Sequence, residues 1–516
     1  MAGLVAAVGL GIAAAPAGAQ APAPAPLQGI EGWIEEAMRA WDVPGLSIAV
    51  VQGDSVVWAR GFGVRRAGAP ERVDEHTLFG VMSTTKAFTS ASVAMLVGEG
   101  RLDWEDPVAD HLPDFRMPDP WVTREFTVRD LLSHRSGLER GDFLWFGSGF
   151  DRDEIVRRLR HVDEVAGFRA AYGYSNNMYI AAGEMIEHVT GTTWDAFVDQ
   201  RIFTPLGMTA SNTSVDDLVD AGNVAAPHEE LGGVLTPIAY RSLDNEAPGG
   251  SINSTALEMA QWVRLQLGNG VYEGRRLVDE EALQETRTAQ TIIPFGDDAR
   301  RTNPGMNFLF YAMGWSVQDY RAALLVQHSG GIDGLRSRVA LLPEEDVGVV
   351  ILTNKGQWNA LADVIRNRVL DAYLGAEPVE WSEVFLEDVR RQRASADSAE
   401  AAKIAARIPG TTPSLGLEGY TGAYENPAFG EAEVALENGR LVLRIGPSIA
   451  GDLEHWHYDT FRATWRNPYL GWALVSFDLD AQGRVARFRP DNWWPSYERV
   501  AAPPTEGPDG DGEGGP

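Results

Sequence analysis

Two strand–turn–strand segments, set far apart with helical sequence between them, constrain the fold of this chain more than any other feature. Leu46 to Val51 is a continuous apolar run, Gln52-Gly53-Asp54 supplies turn residues, and Ser55 to Gly61 returns, the pattern of an antiparallel hairpin. Arg338 to Leu342 and Val347 to Leu352 flank Pro343-Glu344-Glu345-Asp346 in the same way. Between them, helical spacing recurs over Thr84 to Val97, Met178 to Val189, Trp194 to Ile202 and Leu257 to Leu267. Both hairpins are expected in one sheet, with the helices as an inserted block. That is an α+β arrangement, not a doubly wound one. A further helix is predicted from Ile30 to Trp41, stopped by Pro44-Gly45.

At 516 residues the chain is long enough for more than one folded unit. After Leu374 the pattern changes: Trp381 to Ile408 is charged and Ala-rich, a helical linker within 376–415. From Gly416 short strand-like runs follow at Leu441 to Ile445, Thr460 to Trp465 and Ala473 to Phe477, with turns at Asn438-Gly439 and Gln482-Gly483. This spacing predicts a small all-β barrel over 416–502. Residues 503–516 are rich in Pro, Gly and acidic residues and read as a disordered tail. At the other end, the apolar run Ala2 to Ala15 and the small-residue site Ala17-Gly18-Ala19 resemble a secretory signal over 1–19, implying a periplasmic or secreted protein. The run is too short to span a bilayer. The alternating Ala-Pro stretch over 20–26 reads as a stiff spacer.

Charge narrows the partners. With 73 acidic against 44 basic residues the net charge is −29, which opposes binding to nucleic acid or an anionic membrane. There is no Cys, so disulfides, thiolate metal sites and a Cys nucleophile are excluded. Lys occurs only at Lys86, Lys355 and Lys403, so that 41 of the 44 basic residues are Arg. A lysine retained in such a chain points to work that guanidinium, effectively never deprotonated, cannot do.

Phe79-Gly80-Val81-Met82-Ser83-Thr84-Thr85-Lys86 places Ser83 at a helix start with Lys86 three residues on. Positions i and i+3 share a helix face. A serine hydroxyl needs an adjacent base to act as a nucleophile, and an amine desolvated by the apolar helix behind it has the lowered pKa that a base requires. Two more motifs follow in order: Tyr172-Gly173-Tyr174-Ser175-Asn176, in which an extended Tyr-x-Asn sends both side chains to one side, and His328-Ser329-Gly330-Gly331, whose glycines permit close backbone approach. Asp130-Leu131-Leu132-Ser133-His134-Arg135-Ser136-Gly137-Leu138 lies between the first two.

In this order the motifs resemble those of the serine β-lactamase and penicillin-binding protein superfamily, in the class C-like branch that includes esterases and D-amino-acid peptidases. The resemblance covers a hydrolase domain over 27–375. It implies Ser83, Lys86 and Tyr174 as catalytic residues, Asn176, His328, Ser329 and Gly330 as substrate-binding residues, and the backbone N–H groups of Ser83 and Gly331 as an oxyanion hole. Tyr172, which lacks an Asn two positions on, is the competing tyrosine. His134 is implied to be structural. His328 stands where the superfamily usually has Lys, and a neutral imidazole binds a carboxylate less well. That disfavours a β-lactam antibiotic as natural substrate. Tyr420-Thr421-Gly422-Ala423-Tyr424-Glu425 and Leu441-Val442-Leu443 resemble an appended lipocalin-like domain.

The expected reaction is hydrolysis of a peptide, amide or ester bond in a small molecule or peptide through an acyl-enzyme, with no cofactor and no metal. His455-x-His457 lacks a third ligand, Gly61-Phe62-Gly63 does not complete a dinucleotide fingerprint, and Trp493-Trp494-Pro495 reads as packing of the second domain. The alternatives are a β-lactamase or peptidoglycan DD-carboxypeptidase, and a non-catalytic ligand-binding protein on the same fold.

Overall fold

In the computed structural model, residues 22–491 and 494–500 are described. The signal expectation over 1–19, the tail over 503–516 and Trp493 lie outside the described residues. Within the Ala-Pro stretch, Ala25–Leu27 form a 3-10 turn that seats a buried Leu27 in the core beside the helix Ile30–Trp41, so the last residues of the expected spacer belong to the fold.

Both hairpins do enter one antiparallel sheet of eight strands. Its order is Ser55–Gly63, Gly45–Gln52, Val347–Thr353, Leu335–Leu342, Ala323–Ile332, Ser316–Tyr320, Leu309–Tyr311 and Thr291–Ile292. The hairpins meet where Leu46 pairs with Thr353 and Ile48 with Ile351. The central strands read as unbroken apolar runs because the sheet is covered on both faces. Ala49 and Val51 point into a core shared with helices Lys86–Gly98 and Ala256–Leu267, while Leu46, Ile48 and Val50 point into a second core with Ile30–Trp41 and Leu361–Tyr373. The side-chain period of two divides the strands between these layers.

The helical block between the hairpins follows the expected stretches with two local changes. Met82–Thr85 is a 3-10 turn before the helix Lys86–Gly98, and the helix Trp194–Val198 widens into a π turn over Asp199–Phe203 before Pro205. Trp381–Ala405 is a 25-residue helix. Its first turns bury Trp381 and Phe385 against the second core, and Trp381 Nε1 donates to Asp371 Oδ2 at 2.8 Å.

Beyond it, eight strands from Gly422–Asn426 to Tyr497–Arg499 close into an antiparallel barrel. Tyr420, Tyr424, Phe461, Phe477 and Phe488 fill its interior, with ring centroids 4.9–6.5 Å apart in tilted and edge-on pairs, the geometry that aromatic quadrupoles prefer. The barrel rests on the segment 142–150 of the first domain. Trp494 lies 4.5 Å from Phe143, and Arg158 Nη1 donates to the Pro427 carbonyl at 3.0 Å. A register shift separates His455 from His457, whose Nδ1 accepts from the Ile408 N–H at 3.3 Å. Among the described residues no helix is long and apolar enough to cross a membrane.

Candidate active site

Ser83 sits on a sharply turned segment. Phe79–Gly80 pairs with Asn253–Ser254, the Val81 N–H donates to the Ile252 carbonyl at 2.8 Å, and Met82 then takes a left-handed conformation at φ 52°. A non-glycine residue there costs about 1–3 kcal/mol, borne where the surroundings over-determine it. Here the Val81 carbonyl accepts from both Ser337 Oγ at 2.6 Å and Thr84 Oγ1 at 2.8 Å. The 3-10 turn has about three residues per turn, so positions i and i+3 eclipse. Ser83 and Lys86 therefore stand one above the other, with Nζ 3.4 Å from Oγ. This is a closer stacking than the α-helical face expected from sequence.

Ala87, Phe88, Ala91, Val93, Ala94 and Leu96 surround the helix with apolar side chains, and Lys86 is wholly buried. Its ammonium nitrogen donates to Asn176 Oδ1 at 2.7 Å and to the Gly249 carbonyl at 2.6 Å. Two carbonyls take two N–H bonds, so a neutral amine keeps its lone pair for the third direction, toward Ser83. Burial pushes the Lys86 pKa down to about 8, helped by the Arg140 charge and opposed by Glu246 and Asp142.

Tyr174 and Asn176 converge on the same nitrogen. Ser175 is extended at φ −136°, ψ 119°, and Asn176 opens the helix Asn176–Thr190. The Tyr174 ring lies 5.0 Å from Lys86 Nζ. Burial raises the Tyr174 hydroxyl above its ordinary pKa, and its contact with the Ser83 hydroxyl pulls the other way. Tyr172 packs instead 5.9 Å from the rings of His134 and Tyr311. His134, itself left-handed at φ 54°, lies beneath Tyr174 with ring centroids 4.2 Å apart, and its Nδ1 accepts from the Ser175 N–H at 3.2 Å. Burial, and then the Lys86 charge, hold it neutral. It supports the Tyr174–Asn176 segment from below.

The third motif lies on the strand Ala323–Ile332, and its members face different ways. His328 is buried: Nδ1 lies 2.7 Å from its acceptor, the Ser329 carbonyl, so Nε2 accepts from Tyr311 Oη at 3.0 Å. Burial and Lys86 push its pKa down to about 3, so this ring carries no charge near neutral pH. Ser329 and Gly331 are exposed. Gly330 packs against the turn that carries Ser83, where a Cβ would lie 2.3 Å from both the Val81 carbonyl and Ser337 Oγ. Gly330→Ala is therefore expected to displace the Ser83 turn and lower kcat/KM about tenfold or more, measured on a soluble ester with the far-UV spectrum unchanged.

Ser83, Asn176 and Gly331 line one cavity of about 190 Å³. Met82, Trp145, Phe146, Leu243 and Ile332 give it apolar walls, and Arg140, Asp142 and Glu246 its charges. Asp142 is fully engaged: it pairs with Arg140 and accepts from Trp145 Nε1 at 2.9 Å and Asn176 Nδ2 at 3.2 Å. Arg241 lies 4.3 Å over the Phe146 ring and pairs with Asp333 at 2.5 Å, fixing that wall. Ser329, Gly330 and His328 lie outside this lining. A larger cavity of about 620 Å³, beside Trp358 and Phe385, contains none of the motif residues. Sequence reasoning missed Arg140, Asp142, Trp145, Phe146 and Glu246. The only local signal was Pro248-Gly249-Gly250, a tight turn next to Glu246.

A family model described as Beta-lactamase matches residues 30–374, and one described as Domain of unknown function (DUF3471) matches residues 406–499. An unguisins hydrolase of Aspergillus campestris is 29% identical over 431 residues, 80% of this chain and 78% of that protein. A second, from Aspergillus violaceofuscus, is 27% identical over 84% of this chain and 82% of its own length. Among solved structures, an octameric penicillin-binding protein homologue from Pyrococcus abyssi superposes with a TM-score of 0.60 at 22% identity, covering 91% of this chain and 98% of that one. The D-amino acid amidase of Ochrobactrum anthropi SV3 gives 0.56 at 22% identity, over 67% and 98%.

Proposed function

The chain belongs to the Beta-lactamase family, and on that premise we propose that it is a serine hydrolase that cleaves an amide or ester bond through an acyl-enzyme on Ser83. One observation carries this reading: a buried Lys86 that gives two N–H bonds to carbonyls and has its third direction 3.4 Å from Ser83 Oγ. In the first half-reaction the Ser83 proton passes to Lys86 as Oγ bonds to the substrate carbonyl carbon. The N–H groups of Ser83 and Gly331 hold the oxyanion. Lys86, with Tyr174, returns the proton to the leaving group, and water releases the acid. Asn176 orients the acyl group. His328, with both ring nitrogens engaged, contributes by fixing the strand that carries Ser329, Gly330 and Gly331.

The pocket favours an uncharged acyl donor with an apolar side group. Its one lining cation, Arg140, is already paired with Asp142, so a substrate carboxylate finds no free counter-ion among the described lining residues. This ranks amides, peptides and esters above β-lactams and D-Ala-D-Ala-type peptides. The related unguisins hydrolases, and the structurally similar D-amino acid amidase, point the same way. The test offers the native protein a short acyl ester, D-aminoacyl amides, a cyclic peptide and a chromogenic cephalosporin, followed by intact-protein and peptide mass spectrometry. The expected result is an acyl adduct on the Ser83 peptide with amide or ester donors and turnover on at least one. An unlabelled Ser83 across the panel and with a fluorophosphonate would instead favour a non-catalytic binding protein.

A further inference from the structure

The buried carboxyl of Glu246 takes no part in the reaction set out above. It closes the turn Asp244–Glu246, directly before the Ala247–Gly250 segment whose Gly249 carbonyl accepts from Lys86. One short stretch of chain thus delivers two groups to the lysine. Glu246 Oε1 lies 4.0 Å from Lys86 Nζ, its side chain is 4% exposed, and it lines the same cavity as Ser83. The local glycines make room for it: a Cβ on Gly249 would lie 2.0 Å from one carboxyl oxygen, and a Cβ on Gly250 2.6 Å from the other. Burying an anion is costly unless it is paired. Among the described residues its ion-pair partner is Lys86.

We propose that Glu246 is a further catalytic residue, the base that takes a proton from the water attacking the Ser83 acyl-enzyme. This rests on the acyl-enzyme reading above. The balance closes within the residues at hand. The water oxygen bonds to the acyl carbon as one of its O–H bonds breaks, and that proton passes to the Glu246 carboxylate. The bond from the acyl carbon to Ser83 Oγ then breaks, releasing the acid. The Glu246 carboxyl passes its new proton to the neutral Lys86 amine, 4.0 Å away, and the ammonium so formed protonates Oγ, 3.4 Å away. The starting protonation is restored. Burial raises the Glu246 pKa, with Asp142 adding to the rise and Lys86, Arg140 and Arg152 opposing it, so the carboxyl can take up and release a proton close to neutrality.

Glu246→Gln separates the half-reactions. With p-nitrophenyl butyrate in stopped flow, the variant is expected to give a full burst at a rate within about threefold of the native protein. Its steady-state turnover should fall about 100-fold, the scale of a lost general base, and the butyryl adduct on Ser83 should persist by mass. Hydroxylamine, which needs no base to attack the ester, should discharge that adduct from native and variant protein at similar rates. Glu246→Asp, which retracts the carboxylate, should show the same accumulation in weaker form and serves if the Gln variant does not fold. Steady-state turnover at the native rate would overturn the proposal. So would an equal fall in burst and steady-state rates, since Glu246 would then only position Lys86. If native protein itself forms no adduct on Ser83, the acyl-enzyme reading fails; a native adduct with unaffected variant turnover refutes only the role of Glu246.

Discussion

Replacing Lys86 by methionine is expected to lower kcat/KM by about 10²–10⁴-fold, the contribution of a positioned general base, with the fold retained. The side chain is fully buried in an apolar helix environment, where an unbranched thioether of similar length fills the same space. Removing the cation does not strand a buried charge, because Glu246 loses the charge that opposed the effect of burial and its carboxyl takes up a proton in the variant. What is lost is the amine that faces Ser83. As the proposed base, that amine is competent only when neutral. Its pKa stands near 8, so the active fraction grows as pH rises through that value, and kcat/KM should climb to a plateau above it. The methionine variant should lack this rising limb. Steady-state kinetics from pH 6 to 10 on an ester whose own hydrolysis is subtracted give both readouts. Residual activity within about tenfold of native, or a limb that survives in the variant, would exclude Lys86 as the base.

The contrast between Lys86 and Glu246 explains how much of this site could be read from sequence. Ser83 and Lys86 are local: three positions apart, on a turn whose geometry brings i and i+3 together, in a chain with only three lysines. Tyr174 and Asn176 are likewise fixed by an extended tripeptide running into a helix. The sheet was legible because its central strands are unbroken apolar runs, and a strand buried on both faces needs such a run. Glu246 and Asp142, by contrast, reach the pocket only because the turn before Ala247–Gly250 and the segment 142–150 fold over Ser83. Apart from the Pro248-Gly249-Gly250 turn beside Glu246, nothing in their immediate neighbours marks an acidic residue as buried. His328 shows another limit. Sequence presents His328-Ser329-Gly330-Gly331 as one substrate-facing unit, whereas a strand alternates its faces, and His328 spends both ring nitrogens inside the protein. The barrel's support of the pocket wall, through Trp494 on Phe143, joins residues so distant in sequence that no pattern links them.

The largest effect on stability is expected from Asp130→Asn, at about 3–5 kcal/mol, the range for removing one member of a buried ion pair. Asp130 is 0% exposed and serves three partners at once. Its Oδ2 accepts from the Thr127 N–H and hydroxyl, both at 2.9 Å, closing the capping box of the helix Val128–Leu132. Arg135 Nε donates to Oδ1 at 2.5 Å, and Arg169 Nη2 donates to Oδ2 at 2.6 Å. An asparagine keeps the shape but turns one acceptor into an amide donor facing these groups, leaving guanidinium charge without its carboxylate. The helix also leads directly to Ser133-His134 beneath Tyr174, so activity should fall with stability. Burial alone would raise the Asp130 pKa, but Arg169, the Thr127 N–H and Arg135 outweigh it and hold the carboxyl below its ordinary value. A depressed folded pKa stabilises the native state at pH values above the unfolded pKa, about 3.9, and that stabilisation is lost as pH falls through the folded value. Urea titrations at neutral pH and between about pH 3 and 5 should therefore show the native protein losing stability on acidification, with a shallower loss in the asparagine variant. A destabilisation below about 1 kcal/mol at neutral pH, the scale of an exposed pair, would mean that the carboxylate is solvated and the buried cluster does not hold the first domain together.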